Sequence, residues 1–244
     1  MTNLEIIYKQ STHCRERITD IKYIIIHSSS LKPLEMIKTF NDLGLSSHYI
    51  IGRKGEIYET VSPYKVAYHA GVSSWQKSKG LSLNDCSIGI ELEAPFLGNK
   101  TNDFTKKQIT ALVWLLDKLI IEHKISPYNI LGHSDIAPTR KADPGVFFPW
   151  RKLSKLGLGV WFDLRKTIKN NNEKELLEII GYNTDDINAS RVSFCRHYNR
   201  LEIDCNLNVC DLIQKPVEDD FRIKDYSRYM KILKAVAYSY NKII

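Results

Sequence analysis

The run Ile21-Lys-Tyr-Ile-Ile-Ile26 is short, apolar and rich in β-branched residues, as a buried strand requires, and it ends at His27. Behind it, Met36, Ile37, Phe40 and Leu43 recur at helical spacing within Leu34–Leu43. The segment from His48 to Val61 reads as a hairpin around Arg53-Lys54-Gly55, with the glycine supplying the positive φ of the turn. Ser87-Ile-Gly-Ile-Glu-Leu-Glu93 alternates with period two and predicts a strand. The clearest helix spans Phe104–Lys124. Thr105 can cap it, and Ile109, Leu112, Leu115, Leu116 and Leu119 form one apolar stripe. Pro127 closes that segment, and Ile130-Leu131 begins a strand leading to His133.

Strands alternating with helices through about residue 155 predict an α/β unit with a mixed central sheet flanked by helices. After Trp161 the pattern changes: Glu173–Ile180, Arg191–Tyr198 and Asp225–Ile243 all read as helices, so a small all-α C-terminal domain is expected. Polar Lys-Asn-Asn-Asn-Glu-Lys follows an apolar stretch near residues 158–170, which places the expected boundary between residues 1–160 and 161–244.

Composition narrows the class. The 244 residues are 43% hydrophobic and 26% charged, which suits a globular protein and excludes disordered, collagenous and coiled-coil chains. The net charge of +7 is uneven: residues 1–155 hold 21 Lys and Arg against 15 Asp and Glu, and residues 156–244 hold 14 against 13. The positive field therefore belongs to the first unit and suits an acidic partner. No stretch approaches the roughly 18–20 apolar residues of a membrane span. The first twenty residues lack a basic start followed by an apolar core, and the five cysteines are odd in number and scattered. A reduced cytoplasmic protein is the resulting expectation; an envelope or secreted location reached by another route is the alternative.

Three metal-ligand residue types sit at element ends: His27, His133 and Asp143. Two histidines and a carboxylate leave the fourth position of a tetrahedral zinc open to water, the arrangement of a hydrolase. Bound zinc lowers the pKa of such a water from about 15.7 toward 7. Their spacing alone leaves a second reading open, in which each histidine is a structural residue at the end of a buried strand.

The surrounding blocks add to this. Gly132-His-Ser-Asp-Ile-Ala-Pro-Thr-Arg-Lys-Ala-Asp-Pro-Gly145 resembles the zinc-binding loop of N-acetylmuramoyl-L-alanine amidases of the AmpD type. Tyr23-Ile-Ile-Ile-His27, Ala67-Tyr-His-Ala-Gly-Val-Ser-Ser-Trp75 and Asn84-Asp-Cys-Ser-Ile-Gly-Ile-Glu-Leu-Glu93 resemble three further blocks of that family, in its order. The resemblance covers residues 21–150. It implies one zinc ion held by His27, His133 and Asp143, with Glu91 as general base and later proton donor, and Lys141 stabilising the oxyanion. Glu93, two residues on, projects from the same strand face and could stand in for Glu91. Phage relatives of the wider fold have a tyrosine where this chain has Ser47.

Among substrate contacts, the resemblance puts His69 and Trp75 on the groove. Arg140 has the fork to bind a carboxylate, Ser28 follows the first ligand where relatives often have asparagine, and His48 is placed in or under the groove. His13, His123 and His197 have no motif around them. Cys195-Arg-His197 with Cys205 and Cys210 fits no common metal spacing. Leu176 to Tyr182 and the helices after it weakly resemble small peptidoglycan-binding domains attached to some amidases. The expected activity is hydrolysis of the amide between N-acetylmuramic acid, or its 1,6-anhydro form, and L-alanine of the stem peptide, with muramyl peptides as the partner. A muramyl-peptide recognition module without catalysis is the rival. A nucleic-acid partner is not expected, since the basic excess is modest and no recognition motif accompanies it.

Overall fold

In the computed structural model, residues 4–76, 82–95, 104–198, 203–204 and 222–242 are described. Six strands form the main sheet: β1 (Ile6–Tyr8), β3 (Tyr23–Ser29), β4 (Tyr49–Ile51), β5 (Ile57–Glu59), β7 (Ser87–Glu93) and β8 (Ile130–Gly132), in the order β1-β5-β4-β7-β3-β8. Only β4 and β5 pair antiparallel; the other neighbours are parallel. The antiparallel pair is the expected hairpin, and Gly55 in its turn has φ +90°. A separate antiparallel ladder joins β2 (Cys14–Glu16) to β6 (Lys65–Ala67).

Helix α1 (Pro33–Asp42) follows β3. Helix α2 (Lys106–His123) is capped by the Thr105 hydroxyl, which accepts from the Gln108 N–H at 3.1 Å. The apolar stripe of α2 packs on Ile24 and Ile26 of β3 and on Ile88, Ile90 and Leu92 of β7. Gln108 is fully buried in this layer, and its Nε2 bridges the carbonyls of Ile51 and Glu93 at 2.9 and 3.0 Å. The alternation read in β7 is therefore real, but all seven residues are buried, because the strand is central and covered on both faces.

The second face is covered from the C-terminal side. Short helices α3 (His133–Ile136) and α4 (Trp150–Ser154) precede α5 (Glu173–Ile180), α6 (Ile187–Tyr198) and α7 (Tyr226–Asn241). A two-residue ladder, β9 (Ile203–Asp204) with β10 (Arg222–Ile223), lies between α6 and α7 in the chain. Tyr23, Ile25, Leu131 and Ile136 share one buried cluster with Leu176, Leu177, Ile180, Phe194, Tyr229 and Val236. Cys195 is buried in this cluster, while Cys205 and Cys210 lie outside the described residues. Among the described residues no helix is long and apolar enough to cross a membrane.

One buried carboxylate ties the two parts together. Asp135, 1% exposed, accepts from the Gly132 N–H at 2.7 Å, the Tyr182 hydroxyl at 2.6 Å, the Ser193 hydroxyl at 3.4 Å and the His197 ring at 2.8 Å. The His197 ring stacks between Trp150 and Tyr198, each with centroids 4.0 Å away. A hydrogen bond to a charged group is worth about 1.5–3 kcal/mol, so Tyr182→Phe should cost about that much while keeping the volume. We expect urea unfolding of this variant to show one transition, shifted to a lower midpoint at unchanged slope. A separate minor transition for the C-terminal helices, or an unmoved midpoint, would count against a shared cooperative core.

Candidate active site

The site is built on the ends of parallel strands. β3 and β7 pair so that Tyr23, Ile25 and His27 stand beside Ser87, Gly89 and Glu91. These positions share the sheet face opposite α2, so the strand alternation that buries isoleucines on one side delivers His27 and Glu91 to the other. His133 begins α3 immediately after β8, the other neighbour of β3. The Ser134 N–H donates to the Asp143 carbonyl at 2.9 Å, folding the loop back so that Asp143 meets His133.

His27 Nδ1 and His133 Nδ1 are 2.9 Å apart, and Asp143 Oδ2 lies 3.4 Å from the first and 3.1 Å from the second. Among the described residues these three make up the group of His, Cys, Asp or Glu able to hold a metal ion. Ligand bonds of about 2.0–2.1 Å to a tetrahedral zinc put ligand atoms about 3.4 Å apart, close to the separations here. The donor chemistry also fits. His133 Nε2 donates to the Ala70 carbonyl at 3.2 Å, which leaves its Nδ1 as a lone pair facing the other two ligands. Glu91 Oε1 is 3.9 Å from His27 Nδ1, and Glu91 Oε2 is buried with no hydrogen-bond partner among the described residues.

Burial, reinforced by the charge of His133, brings the His27 imidazole down to about 4, so its ring is neutral at ordinary pH. Burial raises the Glu91 carboxyl well above the usual range, the negative charge of Asp143 adds to this, and Lys141 opposes it. Burial would also raise Asp143, but the neighbouring His133 and His27 rings hold it well below the usual range. Two carboxyl groups in one site are thus pushed in opposite directions.

A cavity of about 340 Å³ opens over these groups. Ser28, His69, Glu91, His133, Arg140, Lys141 and Asp143 lie on its wall, with Ser29, Phe40, Leu45, Ser46, Tyr68, Gly71 and Asn84. Among the described residues the buried Ser28 hydroxyl has no hydrogen-bond partner. His69 reaches under the wall as well, its Nδ1 2.9 Å from His27 Nε2.

Other expected contacts sit differently. Trp75 is 1% exposed and packs edge-on against Tyr182 and Tyr240, inside the core shared with the C-terminal helices rather than on the cavity wall. His48 is fully buried, its ring centroid 5.5 Å from that of His69 on the cavity wall. Its Nδ1 accepts from the Gly89 N–H at 3.0 Å and its Nε2 faces the Lys65 carbonyl at 3.1 Å, so it brackets β4, β6 and β7. Arg140 lines the cavity, and its Nε and Nη2 donate to the carbonyls of Ala70 and Val72 at 2.6–3.2 Å, clamping that loop. Glu93 accepts from the Arg53 N–H at 3.1 Å, which commits it to the hairpin turn and leaves Glu91 as the carboxylate beside His27. Sequence reasoning overlooked Asn84, whose Oδ1 accepts from the N–H groups of both His69 and Ala70, and Asp135. Asp135 did carry a signal: an acidic residue three positions after a helix-capping site.

Comparisons with known proteins converge on one family. The sequence profile of the N-acetylmuramoyl-L-alanine amidase family, Amidase_2, matches residues 17–146. N-acetylmuramoyl-L-alanine amidase AmiD of Escherichia coli is 36% identical over 158 residues, 60% of this chain and 56% of that protein. 1,6-anhydro-N-acetylmuramyl-L-alanine amidase AmpD of Enterobacter cloacae is 44% identical over 110 residues, 45% of this chain and 56% of that protein. The chain thus spans a little over half the length of these curated relatives. Among solved structures, AmiD from E. coli in complex with anhydro-N-acetylmuramic acid-L-Ala-D-gamma-Glu-L-Lys matches with a TM-score of 0.71 and 26% identity, covering 93% of each chain. AmpDH3 from Pseudomonas aeruginosa, in complex with an anhydromuramic pentapeptide, gives 0.70 at 25% identity, covering 90% of this chain and 92% of that one. A profile that matches more than half of the chain, over the very segments that build the site, shows that the chain belongs to the N-acetylmuramoyl-L-alanine amidase family.

Proposed function

We propose that this chain is a zinc-dependent amidase that cleaves the bond between the lactyl group of N-acetylmuramic acid, or its 1,6-anhydro form, and L-alanine of a peptidoglycan stem peptide. The observation that carries this reading is the meeting of His27 Nδ1, His133 Nδ1 and Asp143 Oδ2 beside Glu91, at the floor of a cavity with Lys141 on its wall. The anhydromuramyl peptides bound by the relatives named above support the substrate class.

His27, His133 and Asp143 would hold the zinc, which when bound supplies Lewis acidity toward the scissile carbonyl and acidifies water. Glu91 has a free, buried Oε2 and a raised pKa, which suit it to take a proton from the attacking water and pass it to the departing nitrogen. The Lys141 ammonium, whose charge is felt at Glu91, would face the oxyanion that forms on the carbonyl. The unpartnered Ser28 hydroxyl is available to a polar group of the sugar. The positive field of residues 1–155 suits stem peptides, which end in carboxylates.

Glu91→Gln should retain one zinc per chain after dialysis and lose about 10²–10⁴-fold in peptide release from an anhydromuramyl tripeptide, the usual worth of a positioned acid–base group. Full activity in this variant would remove Glu91 from the mechanism. Zinc binding with no peptide release by the wild-type chain would instead favour a recognition module. Asp143→Ala deletes the anionic ligand and should lose zinc as well as activity; metal analysis finding stoichiometric zinc in it would reject the ligand set. Parallel assays on intact sacculi would read whether the free fragment or the wall is preferred.

A further inference from the structure

His69 lies on the cavity wall, yet both nitrogens of its ring are committed within the protein. Its Nδ1 is 2.9 Å from His27 Nε2, and its Nε2 is 3.3 Å from the Ser87 hydroxyl. Ser87 in turn donates to the Leu83 carbonyl. A carbonyl can only accept, so the hydroxyl hydrogen belongs to that bond, and the Ser87 oxygen is left to accept from His69. With neutral rings the remaining protons have one consistent placement. His69 carries its hydrogen on Nε2, and its Nδ1 accepts the Nε2–H of His27. His27 Nδ1 is then a bare lone pair, facing His133 and Asp143.

Two more features hold this relay in place. The N–H groups of His69 and Ala70 both donate to Asn84 Oδ1, at 3.0 and 2.7 Å. Gly89 lies directly against the imidazole: a Cβ there would come 2.5 Å from His69 Cγ, so any larger residue would displace the ring. β7 thus presents Ser87 to anchor the ring, Gly89 to make room for it and Glu91 to face the reaction. The adjacent Ala70 carbonyl accepts from His133 Nε2, so the dipeptide His69-Ala70 sets the tautomers of both histidine ligands.

The geometry points to His69 as a positioning residue that, anchored by Ser87, makes His27 offer Nδ1 rather than Nε2 to the metal; this rests on the zinc reading given above. Partners of this kind behind a ligating histidine are worth about 10–100-fold in metal affinity. The test is zinc affinity of the full chain, by competition with a chromophoric chelator, for wild type, His69→Ala, His69→Asn and Ser87→Ala. Thermal melting of each protein without zinc serves as a control for folding. His69→Ala should weaken zinc by about 10–100-fold, and Ser87→Ala, which frees the ring to turn over, by less than that but measurably. His69→Asn should restore most of the affinity, because the asparagine Oδ1 can accept the His27 Nε2–H in place of Nδ1. Wild-type affinity in both alanine variants overturns the inference, and so does an asparagine variant as weak as His69→Ala, since loss of ring packing would then explain the effect. Where His69→Ala fails to fold, Ser87→Ala gives the same decision. A wild-type chain that binds no zinc overturns the metal reading and this inference together, whereas tight wild-type binding with unaffected variants overturns this inference alone.

Discussion

Three acceptor atoms, two imidazole nitrogens and a carboxylate oxygen, are held within 3.4 Å of one another around the almost fully buried His27. Left to themselves they would separate: each presents electron density to the others, and burial removes the water that would otherwise solvate them. A bound cation or proton relieves the conflict, but the scaffold has to hold the arrangement until one arrives. His27 is fixed by a central strand hydrogen-bonded on both sides, and His133 by the Ala70 carbonyl. Asp143 is fixed by the Ser134–Asp143 backbone bond. The fold can be understood as the set of restraints that keeps these three atoms together.

Core and site are also two faces of the same strands. On β3 and β7 the even-numbered isoleucines and Leu92 pack on α2, while the odd positions carry His27, Glu91 and the Gly89 gap. A one-residue slip in either strand would expose the isoleucines and withdraw His27 and Glu91 together. Hydrophobic burial therefore enforces the register on which the chemistry depends.

This coupling explains what could be read from the chain. His27, Glu91, His133 and Asp143 can be named together because each lies in a block that resembles the family, at a strand end or in one short loop where local pattern determines where a side chain points. The resemblance puts Trp75 on the groove, the guanidinium fork suits Arg140 to a carboxylate, and His48 is expected in or under the groove. What decides their positions is non-local. Trp75 meets Tyr182 and Tyr240, more than a hundred residues away, Arg140 meets the 70–72 backbone, and His48 meets Gly89 and Lys65. The local signal at Asp135 marks only its bond to Gly132; the convergence on it is non-local, since three of its four donors come from residues after 180.

The C-terminal helices acquire a definite physical role from those contacts. Their charge is nearly balanced, 14 basic against 13 acidic residues after position 155, so they add little to the field over the cavity. Their apolar residues instead cover Tyr23, Ile25, Leu131 and Ile136, the sheet face behind the ligand loop. Tyr182, Ser193 and His197 converge on Asp135, two residues past His133, and that carboxylate also takes the Gly132 N–H at the turn into the ligand. Were any of these donors lost, a buried carboxylate would be left partly unpaired two residues from His133. The helices thus back the segment that carries His133.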